Sequence, residues 1–292
     1  MAIPTLRQAV RDAGRVLAEA GVPSADHDAR ALAEHLLGTT PLMVAAEPDP
    51  SFHEAYARLV ARRAAREPLQ HIVGWAPFRY LRLAVRRGVF VPRPETEVVV
   101  DVAVAELAGR AGDALVVDLC CGAGGIAIAL ATETAARVVA VDAEPAAVAL
   151  TADNAAACGA DVRVELGDVR EPGLLADLAG LVDVVVANPP YIPPGARPVD
   201  PEVRDHDPEL ALYGGGPDGL DVPRAVVAAA ARMLRDGGLL VMEHADVQGP
   251  AARAMVAGTG HFTDVATRPD LTGRDRMVVA RRAPRSHSRV AP

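Results

Sequence analysis

Six short apolar runs punctuate the chain from about Glu97 onward: "ALVVDL", "ARVVAVD", "VRVEL", "VDVVVA", "GLLVMEH" and "RMVVARR". All are strand length and, apart from "VRVEL" with Arg163 and Glu165, most are near-continuously apolar rather than apolar at alternate positions. Strands of that kind are buried on both faces. Helical stretches separate them, so the expected architecture is a parallel sheet covered by helices on both sides, a doubly wound α/β domain. At 292 residues the chain has room for a second, smaller domain as well.

That second domain is expected at the start. Helical periodicity marks residues near 5–20, 26–37 and 52–66, with Ser24 and Ser51 as expected helix-entry residues. The next stretch, "HIVGWAPFRYLRLAVRRGVFVPRPETE", alternates like a hairpin around Arg86, Arg87 and Gly88. It also crowds Trp75, Phe78, Tyr80 and Phe90, out of nine aromatics in the protein, into one segment, which suggests packing against a neighbouring domain. The expected division is a helical domain over 1–71, a hairpin linker over 72–96, the sheet domain over 97–283 and a flexible tail over 284–292.

Composition narrows the function. The formal net charge of −8 disfavours indiscriminate nucleic-acid binding, which depends on neutralising phosphates. Arg58, Arg62 and Arg66 form one helical stripe, expected to be a solvated face or a docking patch for an acidic partner. No run is long and apolar enough for a membrane span, and the start is a charged amphipathic helix, so a cytoplasmic protein is expected. Three cysteines, two of them adjacent at Cys120 and Cys121, suit neither a disulfide framework nor a metal knuckle.

Two stretches carry the chemistry. "VVDLCCGAGGIAIAL" reads as strand, small-residue turn, then helix, and Asp142 ends the next strand in "VVAVDAEP". A small-residue turn lets a ligand approach the backbone, and an acid there accepts hydrogen bonds from ribose hydroxyls. Together they suggest an adenosine-bearing ligand. The nicotinamide fingerprint has glycine where Cys120 sits, and "DLCCGAG" departs from it. The second stretch, "VVVANPPYIPP", runs a buried strand into Asn188, Pro189, Pro190 and Tyr191. From Pro189 to Asp221 no convincing regular element is expected, and long irregular loops in compact domains tend to be functional. Asp168 and Val169 after the third strand, and Glu243 and His244 after the fifth, are weaker candidates for the same pocket. His206 and Asp207 are expected to order the long loop.

The D-x-x-x-G-x-G form of the first stretch resembles the cofactor motif of methyltransferases that use S-adenosylmethionine (SAM). "NPPY" resembles the motif of those that alkylate a planar, conjugated NH2. With "SADHDARALAEHLLG", "EPLQHIVGWAPF", "VPRPETE", "HDPELALYGGGPDGLD" and "DLTGRDRMVVARR", the chain is similar over nearly its whole length to the HemK/PrmC family, the release factor glutamine N5-methyltransferases. The resemblance implies a class I methyltransferase fold with a mostly parallel seven-stranded sheet. It also implies SAM as donor, S-adenosylhomocysteine as product and no metal.

The substrate it implies is the glutamine of the GGQ motif in class-I release factors, recruited by the N-terminal domain. By the same resemblance, Cys120, Cys121, Gly122, Ala123, Gly124, Asp142, Asp168, Val169 and Asn188 line the cofactor site. Asn188, Pro189, Pro190 and Tyr191 hold the glutamine, with Arg93 and Pro94 closing over it. The family usually has glycine where this chain has Cys120, and a cysteine fits there if its φ is negative. Two other substrates stay open: a glutamine of a ribosomal protein, and adenine N6 in nucleic acid.

Overall fold

The computed structural model describes residues 4–42, 49–109 and 113–285. Residues 43–48 between the second and third helices, and 286–292 of the expected tail, lie outside them. The chain forms two compact units. One comprises residues up to Trp75 with Val85–Arg87 and Arg197–His206; the other comprises Ala76–Ala84, Gly88–Ala196 and the residues from Asp207 on.

The first unit is built on α1 (Leu6–Glu19), α2 (Ala25–Leu37), α3 (Ser51–Ala64) and α4 (Leu69–Val73). Apolar side chains at helical spacing, including Leu6, Leu17, Leu32, Phe52, Tyr56 and Val60, close one small core. The cap of α1 is Thr5: its hydroxyl accepts from the Gln8 N–H, and the Gln8 side chain accepts from the Thr5 N–H at 2.9 Å. Ser24 does stand at the entry of α2, with its hydroxyl donated to Asp28 and not used as a cap, whereas Ser51 is already the first residue of α3 behind Pro50.

The hairpin consists of β1 (Trp75–Phe78) and β2 (Leu81–Ala84). Its turn is at Arg79 and Tyr80, seven residues before the expected position at Arg86–Gly88. Arg79 adopts φ 51°, a conformation unusual for a side chain of its size. Ion pairs hold it there: its guanidinium meets Glu133 and Asp101, and its N–H donates to Glu97. Phe78 is buried against α5 (Glu97–Leu107) and the sheet, whereas Tyr80 is exposed. The aromatic cluster therefore splits between core and surface.

The larger unit continues through β3 (Leu115–Leu119), α6 (Gly125–Glu133), β4 (Arg137–Asp142), α7 (Pro145–Cys158), β5 (Val162–Leu166) and β6 (Val182–Ala187). The loop after β6 is more ordered than expected, holding the short helices α8 (Pro201–His206) and α9 (Glu209–Leu212). Then come α10 (Asp221–Met233), β7 (Leu234–Glu243), α11 (Gly249–Gly258), β8 (Phe262–Pro269) and β9 (Asp275–Arg282).

The sheet order is β5-β4-β3-β6-β7-β9-β8, parallel through β7, with β9 antiparallel to both of its neighbours, β7 and β8. Strand order reverses between β3 and β6, and ligands of such sheets bind at the carboxyl ends of the strands at that reversal. Among the described residues no helix is long and apolar enough to cross a membrane.

Candidate active site

Sheet register aligns the chemical residues. Leu119 pairs with Val141 on one side and Ala187 on the other, and Ala187 pairs with Met242. The next residue on each strand is therefore level with its neighbours. Asp142, Cys120, Asn188 and Glu243 form one row across four adjacent strand ends. At about 4.8 Å per strand, Asp142 and Asn188 stand about 10 Å apart, with the Cys120 turn between them.

On the β3 side, the turn is built to receive a ligand. Gly122 has φ 57° and a Cβ there would meet no atom within 4 Å, so the backbone faces open space. The Asp142 carboxylate accepts from the Gly122 N–H at 2.9 Å and the Glu144 N–H at 3.0 Å, which leaves each oxygen a lone pair for a ribose hydroxyl. Burial raises the Asp142 pKa, against the pull of those N–H groups.

Three groups brace this turn: Thr151 and Asn154, which the sequence did not single out, and Asp118, the first residue of the D-x-x-x-G-x-G form. Thr151 donates to the Gly122 carbonyl at 2.9 Å. Asn154 donates to the Ala123 carbonyl at 2.9 Å and exchanges hydrogen bonds with Ala84 of the hairpin. Asp118, fully buried, accepts from Ala127 at 3.0 Å and fixes the start of α6. Cys121 and Ala123 face the core, and Gly124 caps α6 in a left-handed conformation.

Cys120 corrects an expectation. Its φ is +63°, not negative. A side chain there costs about 1 kcal/mol relative to glycine, because Cβ crowds the following carbonyl. Cys120→Gly is therefore expected to raise stability by about that amount, read as a higher midpoint in denaturant unfolding. Burial, then the charges of Asp142, Asp118 and Asp168, push the thiol's pKa up, which disfavours the reactive thiolate.

Asp168 is held by Arg170 through both carboxylate oxygens, and that hydrogen bonding lowers its pKa. Val169 has its side chain in the core. These two follow β5 at the far side of the row.

On the β6 side, Asn188 Nδ2 donates to the Thr96 hydroxyl at 3.1 Å. That contact turns the amide oxygen, Oδ1, away from Thr96. Tyr191 donates through its hydroxyl to Glu243 Oε1 at 3.3 Å, and its carbonyl accepts from Gln248 Nε2 at 2.9 Å. The same Gln248 nitrogen reaches the Asp218 carbonyl at 3.1 Å, and its oxygen accepts from the Ala245 N–H.

The glycines of "YGGGPDGLD" press against this motif. A Cβ at Gly219 would lie 2.3 Å from the Tyr191 carbonyl, and one at Gly214 would lie 2.5 Å from that of Pro190. Only glycine permits that approach. Thr96, Gln248 and these glycines were absent from the sequence-derived site, although "PRPETE" and "YGGGPDGLD" contain most of them.

The Arg93 guanidinium pairs with Asp207 and lies 5.0 Å from the Phe90 ring, tying the segment before α5 to the middle of the long loop, between α8 and α9. Pro94 opens the turn that carries Thr96 to Asn188.

Residues 8–74 match the family model described as the PrmC N-terminal domain, and residues 87–198 match the methyltransferase small domain. The release factor glutamine methyltransferase of Mycolicibacterium smegmatis is 52% identical over 286 residues, covering 96% of this chain and 99% of that protein. The one from Streptomyces coelicolor is 48% identical over 279 residues, covering 94% and 97%. Among solved structures, the T. thermophilus 16S rRNA N2 G1207 methyltransferase, in complex with AdoMet and guanosine, is similar with a TM-score of 0.50. At 22% identity over 71% of this chain and 49% of that one, it shows the shared fold.

Proposed function

This chain belongs to the family of release factor glutamine methyltransferases, and from that premise we infer that it methylates the side-chain N5 of the glutamine in the GGQ motif of class-I release factors. When bound, SAM supplies an electrophilic methyl group on a sulfonium. The observation that carries the reading is the Asn188–Thr96 hydrogen bond, which commits the amide nitrogen of Asn188 and leaves its oxygen to accept.

A glutamine amide is a poor nucleophile because its nitrogen lone pair is delocalised into the carbonyl. Asn188 Oδ1 and the Pro189 carbonyl accept its two N–H hydrogens and favour a more tetrahedral nitrogen. Pro189 and Pro190 restrict the backbone, so both acceptors keep one geometry. Tyr191 packs its ring on the planar amide, held at its hydroxyl by Glu243 and at its carbonyl by Gln248.

Methyl acceptance would leave positive charge on the amide nitrogen, held between Asn188 Oδ1 and the Pro189 carbonyl, and the nitrogen would then release a proton to water. No base is needed beforehand. Orientation and preorganised acceptors supply the catalysis. Asp142 holds the ribose, and the Cys120–Gly124 turn with Asp168 and Val169 completes the donor pocket. The setting is the cytoplasm, where release factors act.

Labelled methyl transfer from SAM tests the reading. Label is expected on a purified class-I release factor, and not on its GGQ glutamine variant, on a ribosomal protein or on adenine-containing DNA. Label on the DNA, or undiminished label on the glutamine variant, would contradict it.

A further inference from the structure

We propose that Glu243 is a positioning residue: it sets the direction of a hydrogen-bond chain running through Thr96 to Asn188, and thereby decides which end of the Asn188 amide faces the substrate. This rests on the reading of Asn188 as the substrate's acceptor.

Glu243 ends β7 level with Asn188 and is 2% exposed. One oxygen accepts from Tyr191, the Thr96 hydroxyl faces the same carboxyl, and Oε2 is buried with no hydrogen-bond partner among the described residues. Thr96 is itself buried. It has one hydrogen to give. If that hydrogen went to Asn188, the Asn188 oxygen would turn toward Thr96 and its NH2 toward the substrate. Two donors would then meet, and the clamp would be lost.

An ionised carboxylate only accepts. Beside Thr96 it offers an acceptor for the Thr96 hydrogen, which would leave the Thr96 oxygen for Asn188 Nδ2 and so deliver Asn188 Oδ1 to the pocket. Protonation gives the carboxyl a hydrogen of its own and removes the constraint.

The charged and titratable groups around it come from three elements: Glu95 ahead of α5, Tyr191 after β6 and Arg276 on β9. Burial raises the Glu243 pKa to about 7, with Thr96, Arg276 and Tyr191 opposing and Glu95 reinforcing. The chain therefore changes polarity near neutral pH, and transfer should increase with pH through that range.

The test is single-turnover transfer to a release factor, with saturating SAM, by the full-length enzyme and its Glu243→Gln, Thr96→Val and Thr96→Ser variants. Gln has nearly the same shape but can donate. Glu243→Gln and Thr96→Val are each expected to slow transfer by about 100-fold, the scale of a misplaced reacting group, with SAM affinity and melting temperature unchanged. Thr96→Ser should retain the rate. The wild-type rate should rise with pH around 7, and the Glu243→Gln profile should be flat there.

An unaltered rate or pH profile in Glu243→Gln would overturn the proposal, as would loss of SAM binding in step with loss of transfer. If Glu243→Gln does not fold, the wild-type pH profile and the two Thr96 variants decide. Activity of the wild type on the release factor, with no effect of these changes, sinks the positioning role alone. No wild-type transfer to the release factor sinks the substrate assignment and this proposal together.

Discussion

Replacing Asn188 with alanine is expected to slow methyl transfer by about 10²–10³-fold, the cost of removing one preorganised hydrogen-bonding group from a reacting centre. The variant loses the acceptor for one substrate N–H, and it leaves Thr96 without its Asn188 partner. Asp142 and the β3 turn are braced by separate contacts with Gly122, Glu144, Thr151 and Asn154. SAM affinity should therefore change far less than the rate. Isothermal titration with SAM beside single-turnover kinetics separates the two. A parallel loss of SAM affinity would mean that Asn188 mainly holds the donor.

Arg63→Ala is expected to destabilise the helical unit by about 3–5 kcal/mol, the usual effect of stripping one partner from a buried ion pair. Arg63 donates to Asp28 at 2.7 Å, to Glu202 at 2.7 Å and to the Glu67 carbonyl at 3.1 Å, and both Arg63 and Asp28 are buried. Its loss leaves Asp28 in the core with Ser24 and the ring of His27 as its side-chain partners among the described residues. Glu202 keeps Arg66, which grips both of its oxygens. A shift of the denaturant midpoint measures the loss.

The same network makes the unit acid-sensitive. Burial raises the Glu202 pKa, but Arg66 and Arg63 outweigh it and hold the carboxyl at about 2; Arg62 and then Arg87 hold Glu67 similarly low. The contribution of these carboxylates is complete above their ordinary range and is lost as pH falls toward 2.

Of the expected stripe, Arg58 and Arg62 lie on α3, but that helix ends at Ala64 and Arg66 lies beyond it at φ 66°; the partners of all three were not legible. Arg62 meets Glu67, Arg66 meets Glu202 and Arg58 meets Glu54, so the face is neutralised within the chain. The decisive arginine of that helix, Arg63, lies beside the stripe, and its partners are 35 and 139 residues away. Separations of that size leave no trace in local spacing.

Central strands were readable because burial on both faces makes each a continuous apolar run. The edge strand β8 was not among the runs: its sequence "FTDVATRP" alternates, and Asp264, at φ 54°, sits at a register shift. The hairpin turn was misplaced for a related reason. Arg86-Arg87-Gly88 has the glycine of a turn signal, whereas Arg79 turns the chain only because Glu133, Asp101 and Glu97 gather around it.

In the site, residues that end strands were legible, since a polar residue closing an apolar run marks the carboxyl edge of the sheet. Asn188, Asp142 and Glu243 are of this kind. Residues that brace them from other elements, Thr96, Asn154 and Gln248, were not. The positive φ of Cys120 also escaped the sequence, because conformation there is set by the turn into α6 and not by the cysteine.

The most direct measurement is tandem mass spectrometry of a class-I release factor after incubation with SAM and the enzyme. The account predicts one added methyl group on the GGQ glutamine side chain, produced by the wild type and absent with Asn188→Ala. A methyl group on any other residue, or the same modification made by Asn188→Ala, would contradict it.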